Sequence, residues 1–196
     1  MNDLLEKFYE YKSIVNYKMK YLLEDNLEIE FKLKQTDFPH LIGLHKLIDI
    51  PLIRKFNDKN NKTVSAKYII AKIKKQSILT GELVRNSCYF KDIQNRYDQF
   101  NKDNLLTVSY TDAVVNFDAS LIGSKLSSDY ILFENKTDGI NHLCVAKSHN
   151  GERYAESYFH NTTDLYIKNQ HIVKVKKVYI YDGTGKLYFQ DNLERV

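Results

Sequence analysis

The chain has no tryptophan, two prolines, seven glycines and two cysteines among its 196 residues. So little proline and glycine rules out a collagenous or low-complexity chain, and 43% hydrophobic residues rule out a disordered one. Cys88 and Cys144 make neither a disulfide scaffold nor a CxxC metal site. A reduced, cytoplasmic protein is therefore expected. No apolar run approaches the roughly 20 residues of a membrane span. The opening Met1-Asn2-Asp3-Leu4-Leu5-Glu6-Lys7 has no basic stretch leading into an apolar one, so neither membrane nor secretory signal is expected. Phosphate loop, dinucleotide fingerprint, GxSxG elbow and HExxH helix are missing as well. The charge excess is only +4, which permits an anionic partner without demanding one. Against these shortages stand fifteen tyrosines, a residue used in strands and for stacking on bases.

The length suits one domain over 1–196 with a full core. Residues 3–16 read as a helix with Leu4, Leu5, Phe8, Tyr11 and Val15 on one side. In residues 17–23 Tyr17, Met19, Tyr21 and Leu23 alternate with polar or neutral positions, residues 27–33 alternate strictly, and the two runs around Glu24-Asp25-Asn26 predict a β-hairpin. A helix follows over about 37–49, capped by Thr36 or Asp37, with Pro39 in its first turn and Pro51 discouraging its continuation. Residues 54–63 read as a loop and 63–78 as a second helix. In that helix Ala66, Ile69, Ile70 and Ile73 share one face, and Lys67, Lys72, Lys74 and Lys75 the other. From Lys59 to Gly81 six lysines stand without an acid, which makes either a rail for a phosphate backbone or a solvated face.

Ser87 predicts the cap of a helix over 88–101, with Tyr89, Phe90, Ile93, Tyr97 and Phe100 inward. Strands are expected near 105–110, 113–117, 130–135, 140–147, 153–159, 171–181 and 186–190, with turns at Thr137-Asp138-Gly139 and Asn150-Gly151. The whole reads as α+β: N-terminal helices and a β-hairpin packed on a twisted antiparallel sheet.

Two groups of residues carry chemistry. On a helical wheel His40 falls inside the apolar stripe of Leu41, Leu44, Leu47 and Ile48, where an ionisable ring needs a partner or a task. His45 falls at the edge of that stripe and Lys46 beyond it. Five residues apart on one helix, the two histidines point in different directions, unlike an i,i+4 metal pair. A metal would have to recruit His142, His149 or His160, and no carboxylate or cysteine stands at ligand spacing, so neither metal nor other cofactor is expected.

The second group is His142, Lys147, Arg153, Ser157 and His160 on adjacent strands, followed by Tyr166 and Gln170. A histidine brought over a cation and a hydroxyl meets the minimum for metal-free RNA cleavage. One group takes the 2′-hydroxyl proton, a cation steadies the phosphorane, and an acid protonates the leaving oxygen. The same residues also suit ordinary exposed strand positions.

The run Phe38-Pro39-His40-Leu41-Ile42-Gly43-Leu44-His45-Lys46-Leu47, after an alternating strand, resembles the phage-associated nuclease-like domains of the barnase–EndoU–colicin–RelE group, and within it the fourth family. Glu156-Ser157-Tyr158-Phe159 with Asp164, Tyr166 and Gln170 resembles that family's second motif, and Tyr89-Phe90-Lys91-Asp92-Ile93-Gln94-Asn95-Arg96 fits the helix between them. The resemblance spans about residues 17–181. It implies a compact α+β nuclease fold, metal-independent endoribonuclease activity, and a setting in phages, mobile elements or toxin modules. Carried over, the motif histidine is His40 and the second-motif positions are Ser157, Tyr166 and Gln170. Strand geometry, not the resemblance, adds Lys147 and Arg153.

The expected function is a toxin-like endoribonuclease that cleaves single-stranded RNA to a 2′,3′-cyclic phosphate. His40 would be base or acid, and His45 or His160 the second proton-transfer group. Lys147 or Arg153 would hold the phosphate, Ser157 and Gln170 would orient it, and Tyr166, Lys67 and Lys74 would help bind the RNA. An acidic antitoxin or immunity protein is the expected partner. The alternatives are a nucleic-acid binder without catalysis, and an interaction protein of phage or host defence on the same fold.

Overall fold

The computed structural model describes residues 3–58, 60–61, 63–106 and 110–192. Alternation is what closes its sheet. Met19, Tyr21 and Leu23 of β1 (Lys18–Leu23) and Ile29 and Phe31 of β2 (Glu28–Lys32) are buried, while Lys18, Lys20, Glu28 and Glu30 between them form cross-strand ion pairs on the outside. That apolar face finds its cover inside a ring of strands.

The remaining strands are β3 (Asp112–Val115), β4 (Tyr130–Lys136), β5 (Gly139–Lys147), β6 (Arg153–Asn161), β7 (Ile172–Tyr181) and β8 (Leu187–Asn192). Their order is β1-β2-β6-β5-β4-β3-β7-β8, and β7 also pairs with β1, from Lys18↔Tyr181 to Leu23↔Val175. The sheet is thus a closed β-barrel, not the open twisted sheet expected from the sequence. β7 has the length to do this: β1 takes one of its edges, and β3 and β8 divide the other. One junction is weak. β2 meets β6 in parallel at a single residue pair, Lys32↔Tyr154.

Helices fill that gap. They are α1 (Asp3–Lys12), α2 (Phe38–Leu41), α3 (Pro51–Asn57), α4 (Ala66–Lys74), α5 (Thr80–Asn86), α6 (Phe90–Gln99) and α7 (Lys102–Leu105). Phe8 and Tyr11 of α1 pack on Phe38 at ring distances of 5.3 and 5.6 Å, Phe38 packs on Phe100 at 5.6 Å, and Phe100 on Tyr158 of β6 at 6.0 Å. This aromatic chain makes the helix core and the barrel core continuous. Among the described residues no helix is long and apolar enough to cross a membrane.

Several elements depart from their sequence expectation. The helix expected over 37–49 is broken. The segment expected as a loop at 54–63 begins within α3, because Pro51 takes the first helical position, where its missing N–H costs nothing, instead of ending a helix. α5 was not expected, and α1 and α4 are shorter than expected. Tyr89 is exposed at the cap of α6, and Ser87 Oγ accepts from its N–H at 3.2 Å. Of the strand expected at 105–110, Leu105 ends α7 and 107–109 lie outside the described residues.

A smaller core lies on the outer face of β3–β6, formed by Val114, Ile131, Phe133, Ile140, Cys144 and Phe159 under Phe117, Leu126, Tyr166 and Ile167. His142 is 0% exposed within it. Its ring stacks on Phe159 at 4.7 Å and meets Tyr166 edge-on at 5.7 Å. The backbone of Ile140 and Phe159 weakly favours its charged form, yet neither ring nitrogen reaches a hydrogen bond. Burial lowers its pKa to about 4.

A histidine whose folded pKa is depressed binds protons more readily unfolded. Its share of stability is whole above pH 6.5 and is lost as pH falls from 6.5 toward 4. That gap is worth up to about 3 kcal/mol. Urea titrations of the parent should show midpoints falling across this window. The His142→Phe variant should show a shallower fall, and equal slopes would contradict a neutral buried ring.

Candidate active site at the junction of helices and barrel

Gly43 shapes this site. α2 has Pro39 in its first turn but no side-chain cap, contrary to the expectation for Thr36 or Asp37: Asp37 Oδ2 instead accepts from the Lys34 N–H at 2.8 Å and closes a 3-10 turn over Gln35–Asp37. Gly43 then adopts φ +87, in the left-handed region that favours glycine, and a 3-10 turn follows over Leu44–Lys46. On an unbroken helix His40 and His45 would diverge by about 140°. With the break their rings lie 5.1 Å apart, which corrects the expectation that they point apart. Leu41, Leu44 and Leu47 remain in the core, and both histidines are half-buried. Phe56 of α3 packs on His40 at 4.8 Å.

Both rings are biased toward the neutral form. Burial lowers the pKa of His40 and the Glu156 carboxylate partly restores it. Burial lowers that of His45 to about 3, helped by the charges of His40, Arg96 and Lys46. Glu156 is the extra residue of a bulge in β6, where the register slips between Cys144↔Ser157 and Val145↔Ala155. Its carboxylate is held by the N–H of Ser127 at 3.2 Å, by Ser127 Oγ at 2.6 Å and by Ser128 Oγ. The bulge sets Ser157 on the outer face across from Cys144, which lies within electrostatic reach of Arg96 and Lys46.

Arg96 comes from α6 and is 6% exposed. Its stem runs past Gly43: a methyl group added there would stand 2.8 Å from Arg96 Cδ. Its guanidinium lies over the Phe159 ring at 5.6 Å. Nη1 has no hydrogen-bond partner, and among the described residues no carboxylate pairs with it. Burial lowers its pKa to about 10, so it is a cation at neutral pH. Tyr166, half-buried, packs on the same Phe159 ring at 4.6 Å.

His40, His45, Ser157 and Tyr166 therefore belong to one neighbourhood, and the other sequence candidates lie elsewhere. Lys147 and Arg153 pair with each other at the rim of the barrel, on the face opposite Ser157. Arg153 stacks on Tyr130 at 5.1 Å and donates to Tyr130 Oη and Glu28 O, both at 3.3 Å. The expectation that Arg153 and Ser157 project together fails because of the bulge. His160 is engaged at the β4–β5 turn, with Nδ1 2.8 Å from Asn141 Oδ1 and Nε2 3.2 Å from Asp138 O. Gln170 clasps the Asp118 backbone, accepting from its N–H and donating to its carbonyl, each at 3.0 Å. Lys67 and Lys74 are exposed on α4, where Lys74 reaches over Phe8 at 5.3 Å. Among the described residues no cluster of three metal-ligating side chains occurs.

Sequence reasoning gave no role to Arg96, Glu156 or Gly43. A signal for Arg96 existed: it lies three residues after Ile93 and next to Tyr97, on the apolar face of an otherwise polar helix.

The family described as phage-Barnase-EndoU-ColicinE5/D-RelE like nuclease4 matches residues 3–195, and the chain belongs to it. No curated protein and no solved structure matches.

Gly43→Ala should lower stability by about 2 kcal/mol in urea denaturation, from backbone strain and from displacing Arg96. Gly123 has φ +62 and open space around it, so Gly123→Ala should cost only the strain, about 1 kcal/mol. Equal losses would mean that the contact with Arg96 is not tight.

Proposed function

We propose that this member of the family is a metal-independent endoribonuclease that cleaves single-stranded RNA by transesterification. The observation that carries this reading is the His40–His45 pair, two half-buried rings 5.1 Å apart beside a buried cation. One neutral imidazole takes the 2′-hydroxyl proton as that oxygen attacks phosphorus. The other, protonated, gives its proton to the leaving 5′-oxygen. The products are a 2′,3′-cyclic phosphate and a free 5′-hydroxyl. Between the two candidates for second proton carrier, His45 has the support of its contact with His40, whereas His160 is held at a turn. Ser157, beside the bulge at Glu156, would orient the phosphate. The setting we propose is toxin-like and cytoplasmic. A neutralising partner would present carboxylates to the exposed Lys46 and the histidine rim.

Purified protein with fluorescent single-stranded RNA in EDTA should yield fragments ending in 2′,3′-cyclic phosphate. His40→Ala and His45→Ala should each slow cleavage by about 10²–10⁴-fold. No cleavage by the parent alongside salt-dependent RNA binding would favour the non-catalytic reading. Equal cleavage by His40→Ala would remove that residue from the mechanism.

Because both pKa values lie below 6.5, the doubly neutral pair dominates above that pH and lacks its acid. The profile of kcat/KM should therefore peak on the acid side of pH 6.5 and decline above it. A maximum near pH 8 would assign the acid role to another group.

A further inference from the structure

We infer that Arg96 is the seat of a phosphate oxyanion, with the guanidinium fork and the His45 ring as its donors. The inference deepens the nuclease reading by naming the group that grips the substrate's charge.

Five observations converge on it. Arg96 is a nearly dry cation without a carboxylate, and a buried charge left unpaired is costly enough that proteins rarely keep one without a use. A second cation, Lys46, sits within electrostatic reach, and so does the neutral His45 ring. Glu156, the acid that acts on His40, is already occupied by three donors from Ser127 and Ser128, and Asp92 acts on Lys46 instead. Two buried side-chain nitrogens there have no hydrogen-bond partner, Arg96 Nη1, which is a donor, and His45 Nδ1, which is one in the Nδ1–H tautomer. Finally, the guanidinium is aimed, not loose. Its stem lies against Gly43, and its guanidinium carbon lies over the Phe159 ring. A fixed planar fork with an imidazole beside it suits a tetrahedral phosphate better than it suits a lone carboxylate.

Both idle atoms are covered, so the anion enters when the cover moves. The candidate for that cover is Tyr166, which packs on the Phe159 ring beneath the guanidinium and lies within electrostatic reach of it. It sits in the segment 162–170, made of turns and bends alone, and the Gln170–Asp118 clasp closes its far end. Any phosphate carries the chemistry needed, whether an RNA diester or the monoester of a free nucleotide.

Binding is measured by calorimetry on the full chain with two probes, inorganic phosphate and a 2′-O-methyl RNA tetramer that resists transesterification. The parent should bind at least one, and which one identifies the source. Arg96→Gln should weaken that binding tenfold or more, and Arg96→Lys, which keeps the charge but not the fork, should fall between. Far-ultraviolet circular dichroism checks that each variant folds, and Phe159→Leu, which leaves the guanidinium intact and removes its platform, should weaken binding severalfold. Absence of binding by the parent, or undiminished binding by both Arg96 variants, overturns the seat. Arginine-dependent binding without any RNA cleavage keeps the seat and removes the nuclease reading. Cleavage at the parent rate by Arg96→Gln does the reverse.

Discussion

The bare backbone at Gly43 lies against the stem of Arg96, and the rest of the site depends on that contact. A side chain at position 43 would occupy the space that Arg96 Cδ uses. The same left-handed residue interrupts the helix, and the interruption folds His45 back onto His40. One residue therefore sets two features together: a close pair of histidine rings and a fixed cation. Hydrophobic burial of Leu41, Leu44 and Leu47 holds the broken helix in place on both sides of Gly43.

The barrel supplies the opposing wall. β6 has β5 on one edge and almost nothing on the other, and α2 and α6 pack there. A wall made by side-chain packing can adjust locally, whereas a wall made by ladder hydrogen bonds must keep its register. Placing the bulge at Glu156 in this strand re-aims a side chain toward the helices without breaking the β5 ladder beyond it.

Local signals were legible in the sequence and distant ones were not. Strict alternation over 27–33 and the Asn150-Gly151 pair locate β2 and the β5–β6 turn, because both depend on neighbours in the chain. Closure of the barrel was hidden, since it joins Lys18 to Tyr181 and nothing in Val173–Ile180 says which edge will be used. α5 was hidden because Leu83 is its only buried residue. His40 was legible as a polar residue in an apolar stripe. Its partner was not, because a helical wheel assumes the continuity that Gly43 breaks. Arg96 escaped notice because a charge on a surface helix usually faces water.

Closure has a kinetic side. The strand that completes the ring, β7, pairs with β1 across some 160 positions of chain, which places this fold among those with distant, slow-forming contacts. The histidines are synthesised early, yet the segment from Glu156 to Tyr166 that completes their surroundings exists only once β5 and β6 are made and the ring can shut around them. A nascent chain on the ribosome thus carries His40 and His45 without their opposite wall. For a protein that would attack RNA, late assembly keeps the chemistry silent beside the very molecule that is translating it.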